Sequence, residues 1–207
     1  MSAGVEAAER PSQRIENLRR MAASCRACPL WEHATQTVFG EGPQDADIMF
    51  VGEQPGDKED LAGRPFVGPA GSLLDRALAE AGIDRGRVYV TNAVKHFKFE
   101  PRGKRRLHKR PNASEIKICR RWLDDEIEVI HPRLIVALGA TAAQGLAEQA
   151  IPIQINRGKI LDPPNGLRIF VTIHPSALLR LEDEEEKRSG YASFVNDLRS
   201  VEQLTKS

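Results

Sequence analysis

The sequence predicts an α/β fold in which a parallel sheet is covered by helices on both faces. Short apolar runs of strand length alternate with segments of helical periodicity, which is typical of this fold class. The 207 residues are enough for one domain with a substantial core, and no stretch has the length and apolarity of a membrane span. We therefore expect one domain over residues 12–207, preceded by a flexible tail at residues 1–11.

The first half of the chain predicts two strands, each preceded by a helix. A first helix is expected to end near Cys25 and Cys28. Residues 48–51 form a short apolar run that stops at a glycine, as buried strands do. Residues 71–81 carry apolar side chains at spacings of three and four, which indicates a helix, and residues 88–91 are the next strand.

The second half repeats the alternation. Asn112 and Glu115 resemble a capping box, which predicts the start of a helix that continues to about residue 131. Two further strands and two further helices are predicted: strand 134–138, helix 141–148, strand 168–173 and helix 191–205. In folds of this class, functional residues collect in the loops beyond the carboxyl ends of the strands.

Positive charge is concentrated in one segment of the chain. Residues 95–110, KHFKFEPRGKRRLHKR, have a net charge of +7, whereas the whole chain carries +1, so the remainder carries −6. The segment contains a proline and a glycine and has no apolar period, which predicts an exposed loop. It is either a solvated loop or a contact for nucleic-acid phosphates, since clustered cations gain affinity by releasing counterions. Phe97, Phe99 and His108 lie among the cations, as in surfaces that contact unstacked bases.

The three cysteines predict a metal site more readily than a disulfide framework. The charged N-terminus lacks the apolar core of a signal peptide, so a cytoplasmic protein is expected. Cys25 and Cys28 are spaced to bind one metal centre, and Cys119 lies far along the chain. Iron–sulfur clusters and structural zinc usually have four ligands, so the fourth would be another cysteine, a histidine or solvent. Ordinary buried thiols are the alternative.

Polar residues follow three of the predicted strands. Glu53, Gln54 and Asp57 come after the first strand, Asn92 ends the second, and His174 follows the last. Because the carboxyl ends of parallel strands meet at one edge of a sheet, these side chains can share a crevice. The GEQPG turn lacks the glycine patterns of nucleotide-binding loops, which argues against a nucleotide cofactor.

These segments resemble the uracil-DNA glycosylase superfamily. GEQPG, GRPFVGPAG, TN and HPS occur in the order and spacing of its iron–sulfur, family-four-like members, from about Cys25 to the final helix. Two features depart from that family: His96 stands where it has a cysteine, and the GKRRLHKR insertion, within residues 101–111, is absent from ordinary members. Together with Gln54, both features resemble the UdgX branch, which cross-links itself to uracil-containing DNA.

The resemblance implies a three-layer α/β/α sandwich with a central four-stranded parallel sheet and a [4Fe–4S] cluster. The implied ligands of the cluster are Cys25, Cys28, His96 and Cys119. A histidine ligand is chemically acceptable, because clusters with histidine ligands exist. Structural zinc bound by the same four side chains is the alternative.

The resemblance also implies roles around a flipped uracil. Phe66 would stack on the base, Asn92 would pair with its O4 and N3–H edge, and His174 would donate to O2 as negative charge builds. From the residues alone, these would be a core aromatic ring, a turn residue and a helix-capping residue. Glu53 would place a catalytic carboxylate near the sugar. Three further substrate-binding residues are implied: Gly52, Gln54 and Asp57.

His108 is implied to attack the sugar C1′ after uracil has left, which gives a covalent link in place of a free abasic site. From composition alone it would be one more phosphate-contacting residue. The implied phosphate-binding cations are Lys104, Arg105, Arg106, Lys109 and Arg110. We therefore predict a monomer that excises uracil from DNA, preferably single-stranded, releases free uracil and stays attached through His108, with no membrane partner. A conventional turnover glycosylase and a non-catalytic iron–sulfur protein that binds nucleic acid or senses redox are the alternatives.

Overall fold

The computed structural model describes residues 11–206, which form a mostly parallel sheet between two layers of helices. Residues 1–10 of the predicted tail lie outside the described residues, and the first helix begins at Pro11. Within residues 11–206, no helix is both long enough and apolar enough to cross a bilayer.

Seven strands are present among the described residues: β1 (Ile48–Gly52), β2 (Val88–Asn92), β3 (Phe99–Arg102), β4 (Arg105–His108), β5 (Leu134–Leu138), β6 (Ile160–Leu161) and β7 (Ile169–Thr172). The central sheet has the order β2-β1-β5-β7-β6. Its first four strands are parallel, which confirms the predicted α/β class and the four parallel strands. The sheet has a fifth strand, β6, antiparallel at the edge. Two residues are too few to show a strand period in the sequence.

Eight α-helices surround the sheet in the described part of the chain: α1 (Pro11–Ala23), α2 (Asp57–Ala62), α3 (Pro69–Ala81), α4 (Ala113–Ile130), α5 (Ala140–Ala147), α6 (Ile153–Asn156), α7 (Pro175–Leu179) and α8 (Glu184–Lys206). The capping box of α4 is present, because Asn112 Oδ1 accepts from Glu115 N at 2.9 Å and Glu115 Oε2 accepts from Asn112 N at 2.7 Å. Helix α8 begins earlier than predicted, since the three glutamates of its first turn interact favourably with the helix dipole.

The sheet buries side chains on both faces. Met49 and Val51 of β1 pack in the layer formed by α1, α4 and α5, whereas Ile48 and Phe50 pack in the layer formed by α3 and α8. This two-sided burial explains why the strands read as unbroken apolar runs instead of alternating ones.

The basic segment is not one exposed loop, as the sequence predicted. Lys95 and Phe97 are buried, so Phe97 is not available to contact a base. Beyond them, β3 and β4 form an antiparallel hairpin in which Phe99 is paired with His108. Gly103, the first residue of its two-residue turn, has a φ of +59°, and the favoured hairpin turns need a positive φ at this position. Because most residues of this segment are charged, the sequence shows no alternation of apolar and polar side chains from which the two strands could be predicted. His108 lies at the base of the hairpin, opposite Phe99.

Candidate active site

A cleft of about 610 Å³ lies at the carboxyl edge of the sheet. Its polar lining includes four of the predicted site residues: Glu53, Gln54, His108 and His174. Thr141, which the sequence analysis did not single out, also lines it. The predicted residues Phe66, Asn92 and Asp57 are not part of this lining.

Phe66 and Asn92 lie beside the cleft, packed against Gly52. A Cβ atom on Gly52 would lie 2.3 Å from Asn92 Oδ1 and 2.8 Å from Phe66 Cζ, so only glycine allows this approach. The Phe66 ring stacks on the His174 ring, with centroids 6.1 Å apart and planes 27° apart. Gly52, Phe66 and Asn92 therefore form a buried group that adjoins the cleft at His174.

The backbone of Phe66 is strained, with a φ of +56° that bulky residues rarely adopt. Helix α3 packs directly on it, because a Cβ on Gly71 would lie 1.7 Å from the Phe66 carbonyl oxygen. The direction of the Phe66 ring is thus fixed by its backbone conformation and by the close approach of Gly71. Such strain is typical of functional sites.

The Asn92 side chain has its hydrogen-bonding capacity free. It is almost fully buried at the end of β2, and its main-chain oxygen accepts from Lys95 Nζ at 2.8 Å. No other residue among 11–206 hydrogen-bonds to its side-chain amide. Its amide atoms are not among the fully buried polar atoms without a partner, so they keep a small accessible area through which a polar ligand can reach them.

Glu53 is the one carboxylate among the described residues that line the cleft. Its Oε1 lies 3.3 Å from His108 Nε2, its Oε2 accepts a hydrogen bond from the Thr141 hydroxyl, and Arg110 Nε lies 3.8 Å from Oε2. Burial raises the pKa of Glu53, but the hydrogen bonds from His108 and Thr141 outweigh it, so the pKa is lowered. Glu53 is therefore an ionised base within the cleft.

His174 is a neutral hydrogen-bond donor. Burial lowers the pKa of His174 to about 4, although the charge of Glu53 opposes this effect. The ring caps α7, since its Nδ1 accepts from Ser176 N at 3.1 Å. Because Nδ1 accepts, the single ring proton lies on Nε2. His174 thus offers an N–H to the site near neutral pH.

Gln54 holds the base of the hairpin. Its Nε2 donates to the carbonyl oxygens of Lys98 at 3.1 Å and Lys109 at 3.0 Å, and its Oε1 accepts from Lys98 N at 3.0 Å. The three bonds occupy both N–H groups and the oxygen of the amide. They fix the chain directly beside His108, whose side chain is 46% exposed.

Arg106 holds the side of the hairpin. Its Nε lies 2.5 Å from Asp57 Oδ1, and its Nη1 lies 2.6 Å from Oδ2 of the buried Asp60. The guanidinium also covers the rings of Phe97 and Phe99, at 5.4 and 5.1 Å from their centroids. The structure thus pairs Arg106, predicted to contact phosphate, with Asp57, predicted to contact substrate. Asp60, spaced at i,i+3 from Asp57 on α2, was missed.

The remaining cations in and next to the hairpin differ in whether an acidic side chain lies close to them. Lys109 Nζ lies 2.6 Å from Glu100 Oε2, and Arg110 contacts Glu53. Three exposed cations have no acidic partner within residues 11–206, and we call them the hairpin tip: Arg102, Lys104 and Arg105. Lys104 and Arg105 were predicted phosphate contacts, and Arg102 joins them because the turn brings it opposite Arg105.

The three cysteines lie in one layer of the core, together with Trp122. Cys28 and Cys119 are buried, and Cys25 is partly exposed. Trp122 Nε1 donates to Cys25 Sγ, and Lys95 N donates to Cys119 Sγ, each at 3.2 Å.

His96 is buried and follows Lys95, whose main-chain N–H contacts Cys119; burial lowers the pKa of His96, so its ring is neutral as a metal ligand must be. Nevertheless, within residues 11–206 no three His, Cys, Asp or Glu side chains surround a position for a single metal ion. The predicted ligands Cys25, Cys28, His96 and Cys119 are therefore not arranged as such a group, and their role as ligands stays a prediction.

Comparison with known proteins connects this arrangement to one superfamily. The sequence profile of the uracil DNA glycosylase superfamily matches residues 39–199. The type-4 uracil-DNA glycosylase of Thermotoga maritima is 42% identical over 175 residues, which cover 84% of this chain and 88% of that protein. The type-4 enzyme of Pyrobaculum aerophilum is 37% identical, covering 80% of this chain and 85% of its own length. The type-4 enzyme of Archaeoglobus fulgidus is 36% identical, covering 86% and 89%.

Proposed function

The chain belongs to the uracil-DNA glycosylase superfamily, and we propose that it excises uracil from DNA and then remains bonded to the abasic sugar through His108. One observation carries the second half of this proposal: His108 Nε2 lies 3.3 Å from the ionised Glu53 in the same cleft as the neutral His174. A nucleophile next to a base is the arrangement on which covalent catalysis depends.

Excision begins when the uracil nucleotide leaves the base stack. The unpaired amide of Asn92 then pairs with the O4 and N3–H edge, and the fixed ring of Phe66 stacks on the base. As the C1′–N1 bond breaks, its electron pair departs with uracil, and His174 Nε2–H donates to the O2 atom of the anion. A fixed neutral donor of this kind typically contributes about 3–4 kcal/mol to transition-state stabilisation.

Glu53 serves both halves of the reaction. Its negative charge stabilises the cationic sugar while uracil departs. In the capture step, the facing Oε1 of Glu53 takes the proton from His108 Nε2, and the electron pair of that N–H bond forms the new bond to C1′. The proton held by Glu53 then passes through solvent to the uracil anion, so the products are free uracil and a neutral sugar–histidine link, and Glu53 is ionised again.

DNA approaches across the hairpin tip in this proposal. The three exposed cations Arg102, Lys104 and Arg105 are available for phosphates because no described acidic side chain neutralises them. A single strand is the favoured substrate, since no base pair must be broken to expose the uracil. The protein acts as a monomer in the cytoplasm, where its cysteines remain free thiols or metal ligands.

Cys25, Cys28, His96 and Cys119 hold a [4Fe–4S] cluster in this proposal. Four cysteine or histidine side chains are the usual ligand number of such a cluster. The N–H groups of Trp122 and Lys95 directed at cysteine sulfurs are typical of cluster sites. When bound, the cluster would cross-link three segments of the chain, and no step of the reaction uses it. Iron and sulfide in anaerobically purified protein, with broad visible absorption, support it. Stoichiometric zinc in colourless protein contradicts it.

A denaturing gel tests the function. Wild-type protein is incubated with a single-stranded oligonucleotide that contains one uracil, and the products are heated in SDS. We expect a slow band that survives heating. His108→Ser abolishes that band and releases an abasic product instead, while His33→Ser, which alters an exposed histidine outside the cleft, retains it. A free abasic product from wild-type protein indicates a turnover enzyme, and unchanged DNA contradicts glycosylase activity altogether.

A further inference from the structure

Thr141 occupies a position between the hairpin and the carboxylate of the cleft. It is the second residue of α5, directly beyond β5, and it is almost fully buried. Its hydroxyl donates to Glu53 Oε2 and accepts from Arg110 Nε at 3.0 Å. Thr141 therefore connects Arg110, which follows the hairpin, to Glu53, which follows β1.

The direction of these two hydrogen bonds is set by chemistry. A guanidinium can only donate, so the Thr141 oxygen must accept from Arg110. The hydroxyl has one proton, which is then directed to Glu53 Oε2. With Oε2 held in this way, the other oxygen, Oε1, faces His108 Nε2.

We propose that Thr141, oriented by Arg110, is a positioning residue that keeps Oε1 of Glu53 directed at His108. The inference rests on the proposed function, because it concerns the proton that His108 must lose during capture. Charge stabilisation of the sugar requires only that the carboxylate is near, whereas proton transfer requires a defined oxygen at a defined distance. Loss of the hydroxyl is therefore expected to slow capture more than excision.

A second consequence concerns the pH dependence of capture. Glu53 is faced by His108 and Arg110 from the hairpin side and by His174 from the loop after β7. The Thr141 hydroxyl is an uncharged donor, and its hydrogen bond stabilises the ionised form of the Glu53 carboxylate. Its removal raises the pKa of Glu53, so the acid limb of the capture rate moves to higher pH.

The test compares Thr141→Val, which keeps the shape without the hydroxyl, with Thr141→Ser, which keeps the hydroxyl. Single-turnover rates of excision and of adduct formation are measured from about pH 4.5 to about pH 8, a range chosen to include the acid limb of the capture rate. We expect Thr141→Val to slow capture by about tenfold, the size of one hydrogen bond, and to shift the acid limb upward. Thr141→Ser restores both.

Thr172→Val is the matched control. Thr172 is also buried and also donates to a carboxylate, Asp197 Oδ2 at 2.6 Å, but on the α8 side of the sheet. It is expected to lower thermal stability without moving the acid limb. The inference is overturned if Thr141→Val leaves the capture-to-excision ratio and the acid limb unchanged, or changes them no more than Thr172→Val does.

A titration of the Glu53 carboxyl carbon by NMR separates this inference from the proposed function. An inactive wild-type protein would contradict the function, yet a higher Glu53 pKa in Thr141→Val than in wild type would still support the positioning role. Equal Glu53 pKa values in both proteins would overturn that role, whether or not the wild type excises uracil.

Discussion

The basic segment, residues 95–110, contains two regions of opposite character. Its inner part is core: Lys95 is 0% exposed and lies 2.6 Å from Oε2 of the equally buried Glu126. Its outer part is the hairpin of β3 and β4, whose tip presents free cations to solvent. The same residue types therefore stabilise the fold in one region and are available to DNA in the other. Burial and pairing decide the role of a cation here, and the local charge count does not.

The inner region forms a closed network below the candidate site. Lys95 Nζ also donates to Thr91 Oγ1 at 2.6 Å and to the Asn92 carbonyl at 2.8 Å. Glu126 Oε1 accepts from Tyr89 Oη at 3.0 Å and from a main-chain N–H. Because each charged group has several partners, the network is rigid and fixes the end of β2 where Asn92 lies.

The outer region is held at its base and side and is free at its tip. Gln54 bonds the chain on both sides of the hairpin base, and Arg106 joins one strand to Asp57 and Asp60. These contacts orient His108 without using the tip cations. In the proposed function, the hairpin thus separates His108, which must be fixed in order to react, from the tip cations, which would contact DNA.

The largest effect on stability is expected in the inner region. Lys95→Met leaves Glu126 buried without its counter-charge, and breaking a buried pair in this way costs about 3–5 kcal/mol. Urea unfolding measures the loss. The double variant Lys95→Met/Glu126→Gln should regain part of it, because no lone charge remains buried. Equal unfolding midpoints for Lys95→Met and wild type would contradict the role assigned to the pair.

A smaller effect is expected at the side of the hairpin. Arg106→Met removes both ion pairs and frees β4 from α2, so adduct formation should slow by about tenfold, the equivalent of roughly 1.4 kcal/mol. Arg105→Met, at the neighbouring tip position, is the control and should slow capture less at low salt. If both variants slow capture equally, Arg106 acts as a DNA contact and not as an anchor.

The smallest effect on the folded protein is expected at the tip. Replacing Arg102, Lys104 and Arg105 with serine leaves stability within about 0.5 kcal/mol, as surface changes usually do. A plot of the logarithm of the DNA-binding constant against the logarithm of the salt concentration has a negative slope. The same variant should reduce the magnitude of this slope by about 2, since each phosphate contact on a single strand contributes roughly 0.7. Fluorescence anisotropy with a uracil-free oligonucleotide at several salt concentrations measures it. An unchanged slope would show that phosphates bind elsewhere.

Sequence patterns predicted the parallel strands and the residues that follow them, because burial on both faces leaves continuous apolar runs. They did not predict the hairpin, whose period is masked by charge, or the edge strand β6. Thr141, Asp60 and Glu126 were missed for another reason. Each acts on a residue distant in sequence, and nothing in its own neighbourhood along the chain marks that contact.

The central claim is that His108 becomes bonded to the sugar, and peptide mapping tests it most directly. Wild-type protein that has reacted with a uracil-containing oligonucleotide is digested with nuclease and protease, and the modified peptide is sequenced by mass spectrometry. We expect a deoxyribose-derived addition on His108. The same addition on a neighbouring side chain such as Lys104 or Lys109, or uracil release with no modified peptide, would contradict it.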